Sequence, residues 1–181
     1  MSVRSPRRSP RPGAAKLPRK HRSNSGATST SLRESRDGRL DRRRAHRKVL
    51  NEILKTELSG VVRYTHYSLV ITGPNRIPLV TFMQGQATES LLHAQQAGEI
   101  LTGLGGYPEQ GIAPIAQSTD HDIEEILRES IEHERASLAL YRDLLDCAAN
   151  KSVYLEEFSR GQIGAEEKHL LEMKKMLRDF K

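Results

Sequence analysis

Apolar residues recur every three or four positions along most of the chain after residue 40, which is the spacing of an amphipathic helix. Two such segments, at about 40–71 and 78–104, precede a stretch without periodicity at 105–118. Two more segments, beginning near 119 and near 152, complete the chain. The pattern predicts an all-α fold, an antiparallel four-helix bundle with a long crossover between its second and third helices.

Carboxylates and histidines interrupt the apolar stripes of all four predicted helices. A Glu on the first helix and a Glu on the third are each followed, 32 residues later, by a Glu that precedes a His. This spacing lets the chain run along one helix and return to the same depth on the next. Four carboxylates and two histidines meeting in one bundle form the ligand set of a two-metal centre. The predicted metal ligands are Glu57, Glu89, His93, Glu134, Glu166 and His169.

Two further residues near these positions need an interpretation. Tyr64 lies two turns beyond Glu57, on the same helical face, where it is either a core residue with a bonded hydroxyl or a neighbour of the metal site. His133 does not lie in the apolar stripe of the third helix. We therefore interpret His133 as a surface histidine.

The first part of the 181-residue chain differs sharply in composition from the rest. Residues 1–38 are rich in Arg, Ser, Pro and Gly and have almost nothing to bury, which predicts a disordered tail before a bundle domain at 39–181. Residues 1–48 carry 16 Lys and Arg against three Asp and Glu, a net charge of +13, whereas the remainder carries −7. The tail is a solvated arm, an organelle transit peptide or an arm that binds nucleic-acid phosphates without reading sequence.

Cysteine content and hydropathy restrict the location of the protein. The single cysteine, Cys147, excludes an intramolecular disulfide framework and fits a reducing compartment. No apolar run is long enough for a transmembrane helix, and no signal-peptide core is present. We therefore expect a cytoplasmic protein that does not contact a membrane.

Four motifs within about residues 46–180 resemble the ferritin-like superfamily, and within it the bacterioferritins. They are TELSGVVRY (56–64), ESLLHA (89–94), DIEEILRESIEHE (122–134) and EEKH (166–169). The resemblance implies iron ligands at Glu57, His93, Glu134, Glu166 and His169, with a tyrosine beside the iron at Tyr64. Aligned on His93, the second-helix Glu of the family falls on Ser90, so Glu89 is the available carboxylate. The family's haem-binding Met falls on Leu91, so haem is not expected.

Ligand set and resemblance together predict an iron-storage and detoxification subunit. It would be a ferroxidase, oxidising Fe(II) at a di-iron carboxylate centre inside one subunit, and would assemble into a homo-oligomeric shell or cage. One alternative is another ferritin-like di-iron oxidase or peroxidase that stores nothing; the absence of a Cys-x-x-Cys module argues against rubrerythrin itself. The other is a Dps-like protective protein that binds DNA through residues 1–38.

Overall fold

The computed structural model describes residues 29–115 and 122–178, which form four helices and, within those ranges, no strand. Each of the four is a long helix: α1 (Ser29–Val70), α2 (Arg76–Gly103), α3 (Ile123–Ala148) and α4 (Val153–Leu177). The first two helices pack together as a hairpin, as do the last two, and α1 also packs against α3. The prediction of an all-α four-helix bundle is confirmed.

The long crossover follows from the directions of the helices. Near one end of the bundle His46 of α1 bonds to the carbonyl of Cys147 on α3 at 3.0 Å, and toward the other end Tyr67 bonds to Glu129. The α1 and α3 helices are therefore antiparallel, so α2 and α3 point the same way and the chain must travel back between them. It does so along α1, where the Ala113 N–H donates to the Lys55 carbonyl at 2.9 Å.

Capping residues mark the ends of three of the helices. Asp122 caps α3 by accepting the Glu125 N–H at 2.8 Å, and Ser152 caps α4 by accepting the Leu155 N–H at 3.4 Å. We expected the start of α3 near Thr119, which lies outside the described residues. Gly105, at φ +72°, ends α2 in the left-handed region that favours glycine.

The first helix begins earlier than the apolar pattern suggested. We expected it to start near Leu40, but α1 starts at Ser29, so the last ten residues of the predicted tail are helical. The segment has no proline, and its Leu and Arg residues are good helix formers. Apolar periodicity could not find it because a polar helix beyond the end of the core has no apolar stripe. Residues 1–28 of the predicted tail lie outside the described residues.

Two apolar clusters fill the bundle, one toward each end. The first cluster surrounds Tyr64 and Met83, and its other buried members are Tyr67, Ile71, Leu79, Ile126, Leu127, Ile131, Leu138, Leu170 and Met173. The second cluster surrounds Leu50 and Tyr141, with Ile53, Ala97, Ile100, Leu101, Leu144, Ala148 and Leu155. Within the described part of the chain, none of the helices combines the length and apolarity needed to cross a bilayer.

Candidate metal centre

A layer of buried polar residues lies inside the bundle between the two apolar clusters. Its five members are each at most 7% exposed, and every helix contributes at least one: Glu57, His93, Glu134, Glu166 and His169. A carboxylate at this depth is costly unless it is hydrogen-bonded, paired or bound to a cation. The three carboxylates of the layer therefore need protons or metal ions to balance them.

The first ligand group joins Glu57 of α1, His93 of α2 and Glu166 of α4. His93 Nδ1 lies 3.2 Å from Glu166 Oε1 and 3.9 Å from Glu57 Oε1. Two donors that each lie ~2.1 Å from one ion are at most ~4.2 Å apart, so these three side chains can share an ion. The Tyr141 hydroxyl donates to Glu57 Oε1 at 2.9 Å, which orients that carboxylate.

The second ligand group joins Glu134 of α3 with Glu166 and His169 of α4. His169 Nδ1 lies 3.4 Å from Glu166 Oε2 and 3.7 Å from Glu134 Oε2. The Tyr64 hydroxyl donates to Glu134 Oε1, as Tyr141 does to Glu57. Each outer carboxylate of the layer is thus held by a buried tyrosine from a different helix.

Glu166 belongs to both groups and turns one oxygen toward each histidine. Its Oε1 faces His93 and its Oε2 faces His169. A carboxylate placed in this way can bridge two metal ions, with one imidazole on each ion and one further carboxylate beside each. The layer therefore has the arrangement of a two-metal site within a single chain.

The pKa values of the three buried carboxylates show which of them would give up protons when a cation binds. Burial raises the pKa of Glu57 well above its usual range, and the charge of Glu166 adds to the shift. Burial raises the pKa of Glu134 to about 8, reinforced by its hydrogen bond with Glu166. Burial acts in the same direction on Glu166, but hydrogen bonds with Glu134, His169 and His93 outweigh it and hold its pKa well below the usual range.

The pKa of His169 is also shifted, in the direction that favours a bound proton. Burial disfavours its charged form, but hydrogen bonds to Glu134 and Glu166 raise its pKa to about 10. Without metal, Glu166 therefore favours its ionised form, whereas Glu134 and His169 favour their protonated forms at neutral pH. Metal binding must displace those protons, since ligands bind in their deprotonated forms.

The donor set fits iron. Three carboxylates and two imidazoles are hard and borderline ligands, which suit divalent iron, and the layer contains no thiolate. The two tyrosine hydroxyls are outer-shell hydrogen-bond donors of the kind that fix ligand orientation. These residues would hold an iron pair with three protein carboxylates in the layer instead of the predicted four.

The fourth predicted carboxylate, Glu89, lies at the edge of the layer. Its side chain is 40% exposed, and its Oε2 is 3.2 Å from Nε2 of His169, the ring nitrogen opposite the one that faces the carboxylates. Glu89 belongs to neither ligand group. The family's position for this ligand, Ser90, is buried at 7% exposure. Adjacent residues point ~100° apart around a helix, so Glu89 faces α4 while Ser90 faces α1.

Two buried residues that lie next to ligands of the layer or contact them were not predicted from the sequence. The interpretation of His133 as a surface histidine is wrong: it is 7% exposed, and burial together with the charge of Arg63 lowers its pKa to about 4. No sequence signal indicated this, because Glu134, and not His133, lies in the apolar stripe of the third helix. Tyr141 did have a signal, since it follows Glu134 by seven residues as Tyr64 follows Glu57.

A four-helix bundle with one long crossover and a buried layer of carboxylates and histidines defines the class of carboxylate-bridged two-metal proteins. The model of the ferritin-like domain matches residues 47–181, so the chain belongs to the ferritin-like family. No curated protein matches the chain significantly.

Solved structures place the fold among di-iron proteins and bacterioferritins. A ferritin-like, diiron-carboxylate protein from Bacillus anthracis is 25% identical, with a TM-score of 0.72 over 75% of this chain and 97% of that one. A dodecameric thioferritin from Bacteroides fragilis is 20% identical, with a TM-score of 0.72 over 76% and 87%. Rhodobacter capsulatus bacterioferritin is 21% identical, with a TM-score of 0.65 over 75% and 84%. Dps proteins also share the fold.

Proposed function

We propose that the protein is an iron-storage and detoxification subunit that oxidises Fe(II) at a two-iron centre inside one chain. The observation that carries the proposal is Glu166, which lies between two buried histidines with one oxygen toward each. Family membership supports it, as does the diiron-carboxylate description of the Bacillus anthracis neighbour. The proposed ligands are Glu57, His93, Glu134, Glu166 and His169, with Glu89 as a partner of His169.

The chain's own residues would have distinct tasks in this centre. Bound Fe(II) would supply the electrons that pass to dioxygen or peroxide. Glu166 would hold both ions, and His93 and His169 would each hold one of them. Glu57 and Glu134 release protons as the ions bind, because both have raised pKa values. Tyr64 keeps Glu134 oriented; burial and the neighbouring Glu134 charge raise the pKa of Tyr64 well above its usual range, so it remains a donor.

We further propose that the subunits assemble into a homo-oligomeric shell. Several large apolar side chains on the outside of the bundle are more than two-thirds exposed, namely Leu69, Ile77, Tyr107, Val153 and Tyr154. Contacts between subunits of a shell would cover exposed side chains of this kind. The Bacteroides fragilis neighbour is dodecameric. Leu91, at the family's haem-binding position, is 43% exposed and offers no thioether, so the proposal includes no haem.

One structural observation favours a second candidate, a slower di-iron oxidase without storage. Ser90 occupies the position of the second-helix carboxylate, and Glu89 lies outside both ligand groups. A centre with one bridging carboxylate in place of two would hold its second ion less tightly. The Dps-like alternative depends on DNA binding by the basic tail, most of which lies outside the described residues.

The experiment that separates storage from oxidation alone is iron loading in air. Fe(II) is added in increasing amounts, the ferric absorbance is followed, and the protein is recovered by gel filtration for iron analysis. The proposal expects rapid oxidation and far more than two irons retained per subunit. Rapid oxidation with no more than two retained irons would support the oxidase without storage. Absence of protein-dependent oxidation would contradict both.

A further inference from the structure

An open groove of about 650 Å³ lies between α1 and α3, bordered by the crossover and by the end of α4. The five proposed metal ligands are not among the described residues that line it. Several of its lining residues are apolar, namely Ala113, Pro114, Ile131, Ala136 and Leu177. A concave site of this size, with apolar walls and a few polar groups, is typical of small-molecule binding.

Arg63 is the most deeply buried cation of this groove, since its side chain is only 10% exposed. Its Nη1 donates to the Tyr67 hydroxyl at 2.9 Å and lies 3.7 Å from Glu129 Oε2. The Tyr67 hydroxyl in turn donates to Glu129. These contacts hold the guanidinium group of Arg63 by one of its edges.

The other edge of the Arg63 guanidinium is free as far as the described residues are concerned. Its Nε is buried and has no hydrogen-bond partner among them, and their polar contacts with Arg63 go to Nη1. A buried donor in a native protein normally has a partner. In the planar guanidinium, the N–H of Nε and one N–H of Nη2 point the same way. This pair of donors matches two oxygens of a carboxylate or phosphate group.

The charges around the groove favour an anion. Four cations line it against three carboxylates: Arg63, Arg128, Arg135 and Lys174 against Glu125, Glu129 and Glu132. Two of the carboxylates already have partners, because Glu132 pairs with Arg135 and Glu129 accepts the Tyr67 hydroxyl. An incoming anion therefore meets an excess of positive charge.

We propose that the groove binds a small organic anion, with its carboxylate or phosphate group on the free edge of Arg63 and its apolar part against the apolar lining. The inference does not depend on the proposed function, because none of the proposed metal ligands takes part in it. It gives the buried Nε donor a partner and gives the groove a ligand of defined chemistry.

Calorimetric titration of the full-length protein tests this with three probes. Benzoate and phenyl phosphate share an apolar ring and differ in the anionic group, and benzamide is the neutral counterpart of benzoate. A salt concentration of ~0.15 M screens weak attraction to the exposed charges of the chain. We expect one anion per subunit, bound ~10–100-fold more tightly than benzamide, because hydrogen bonds between charged groups are the stronger ones. The tighter of the two anions identifies the preferred anionic group.

Three variants make the test specific to the groove. Arg63→Lys keeps a cation beside Tyr67 and Glu129 but removes the paired donors, so anion affinity should fall ~10–100-fold. Ala136→Phe, at an exposed position that lines the groove, should weaken binding by filling the apolar part. Arg128→Gln is the matched control, because Arg128 also lines the groove but is half-exposed and pairs with Glu124. It should bind the anions as wild type does.

The outcomes decide the proposal without involving the metal centre. The anion site is wrong if neither anion binds, if benzamide binds as tightly, or if Arg63→Lys keeps the wild-type affinity. If Arg63→Lys melts well below wild type, Ala136→Phe decides instead. Weakened anion binding in that variant would then support the site, and unchanged binding would overturn it.

Discussion

The α2 and α4 helices carry similar sequences and use them differently. On α4, Glu166 and His169 are three residues apart, and both enter the buried layer. On α2 the carboxylate precedes His93 by four residues, so that Glu89 turns toward α4 and contacts the outer nitrogen of His169. A shift of one residue therefore separates a carboxylate at the middle of the site from one at its edge. Depth along a helix is therefore set by residue count, whereas access to a site is set by rotation about the helix axis.

The largest effect should follow from removing the carboxylate shared by the two ligand groups. Glu166→Ala takes one ligand from each ion, so the loss in initial Fe(II) oxidation rate should exceed the ~100-fold typical of an outer-shell change. Stopped-flow absorbance measures the rate. Glu167→Ala is the matched control, because Glu167 is exposed and pairs with Arg142 at 2.8 Å. Equal rates for the two variants would contradict the bridging role of Glu166.

A smaller effect should follow from the corresponding change on α2. Glu89→Ala removes the partner of His169 Nε2 but no member of either ligand group, so the oxidation rate should fall ~10–100-fold. Glu89→Gln keeps a carbonyl oxygen that accepts the same hydrogen bond and should recover most of the rate. If Glu89→Ala loses as much activity as Glu166→Ala and Gln does not rescue it, Glu89 is a ligand. If Glu89→Ala behaves as wild type, the α2 half of the site is degenerate.

The pH dependence of metal-free stability should reveal the protons on the layer. The pKa of Glu134 is raised from 4.5 to about 8, so its contribution to stability is complete below pH 4.5 and is lost as pH rises toward 8. The melting temperature of the metal-free protein should therefore fall between pH 5 and 8, on the order of 5 °C. Protein loaded with Co(II) should fall less, because the cation replaces the protons. Glu134→Gln should flatten the metal-free curve; an unchanged slope would contradict the assignment.

The smallest effect on either half of the site should follow from removing the basic tail. Deleting residues 1–28, which precede α1, should leave Fe(II) oxidation unchanged and lower DNA affinity at low salt. Contacts made through phosphates weaken steeply as salt rises, so the full-length chain should show the stronger salt dependence. Gel-shift titrations at several salt concentrations measure both. Unchanged DNA affinity after deletion would rule out the tail as a nucleic-acid arm.

Sequence reasoning was most reliable where residue count determines geometry. The 32-residue spacing predicted that Glu134 and Glu166 lie at the same depth, and their carboxylates interact directly in the structure. The four helices and the crossover followed from apolar periodicity and its absence in one stretch. The start of α1 did not, because a polar helix beyond the core carries no stripe.

The direction in which individual side chains point could not be predicted from the sequence. Glu89 and Ser90 both lie within ~60° of His93 around α2, so spacing alone left either one as the inward residue. In the structure Ser90 is the inward residue, facing Gly60 of α1, and Glu89 faces His169 of α4. His133 entered the bundle because Gly60 on another helix leaves room for it, and that pairing of distant positions has no local signal.

A crystal structure of the protein soaked with Fe(II) under anaerobic conditions, with anomalous data at the iron edge, tests the central claim most directly. We expect two iron peaks in each subunit, both within bonding distance of Glu166. One should lie against Glu57 and His93, and the other against Glu134 and His169. A single peak, iron found only between subunits, or His93 and His169 turned away from each other would contradict the two-iron centre.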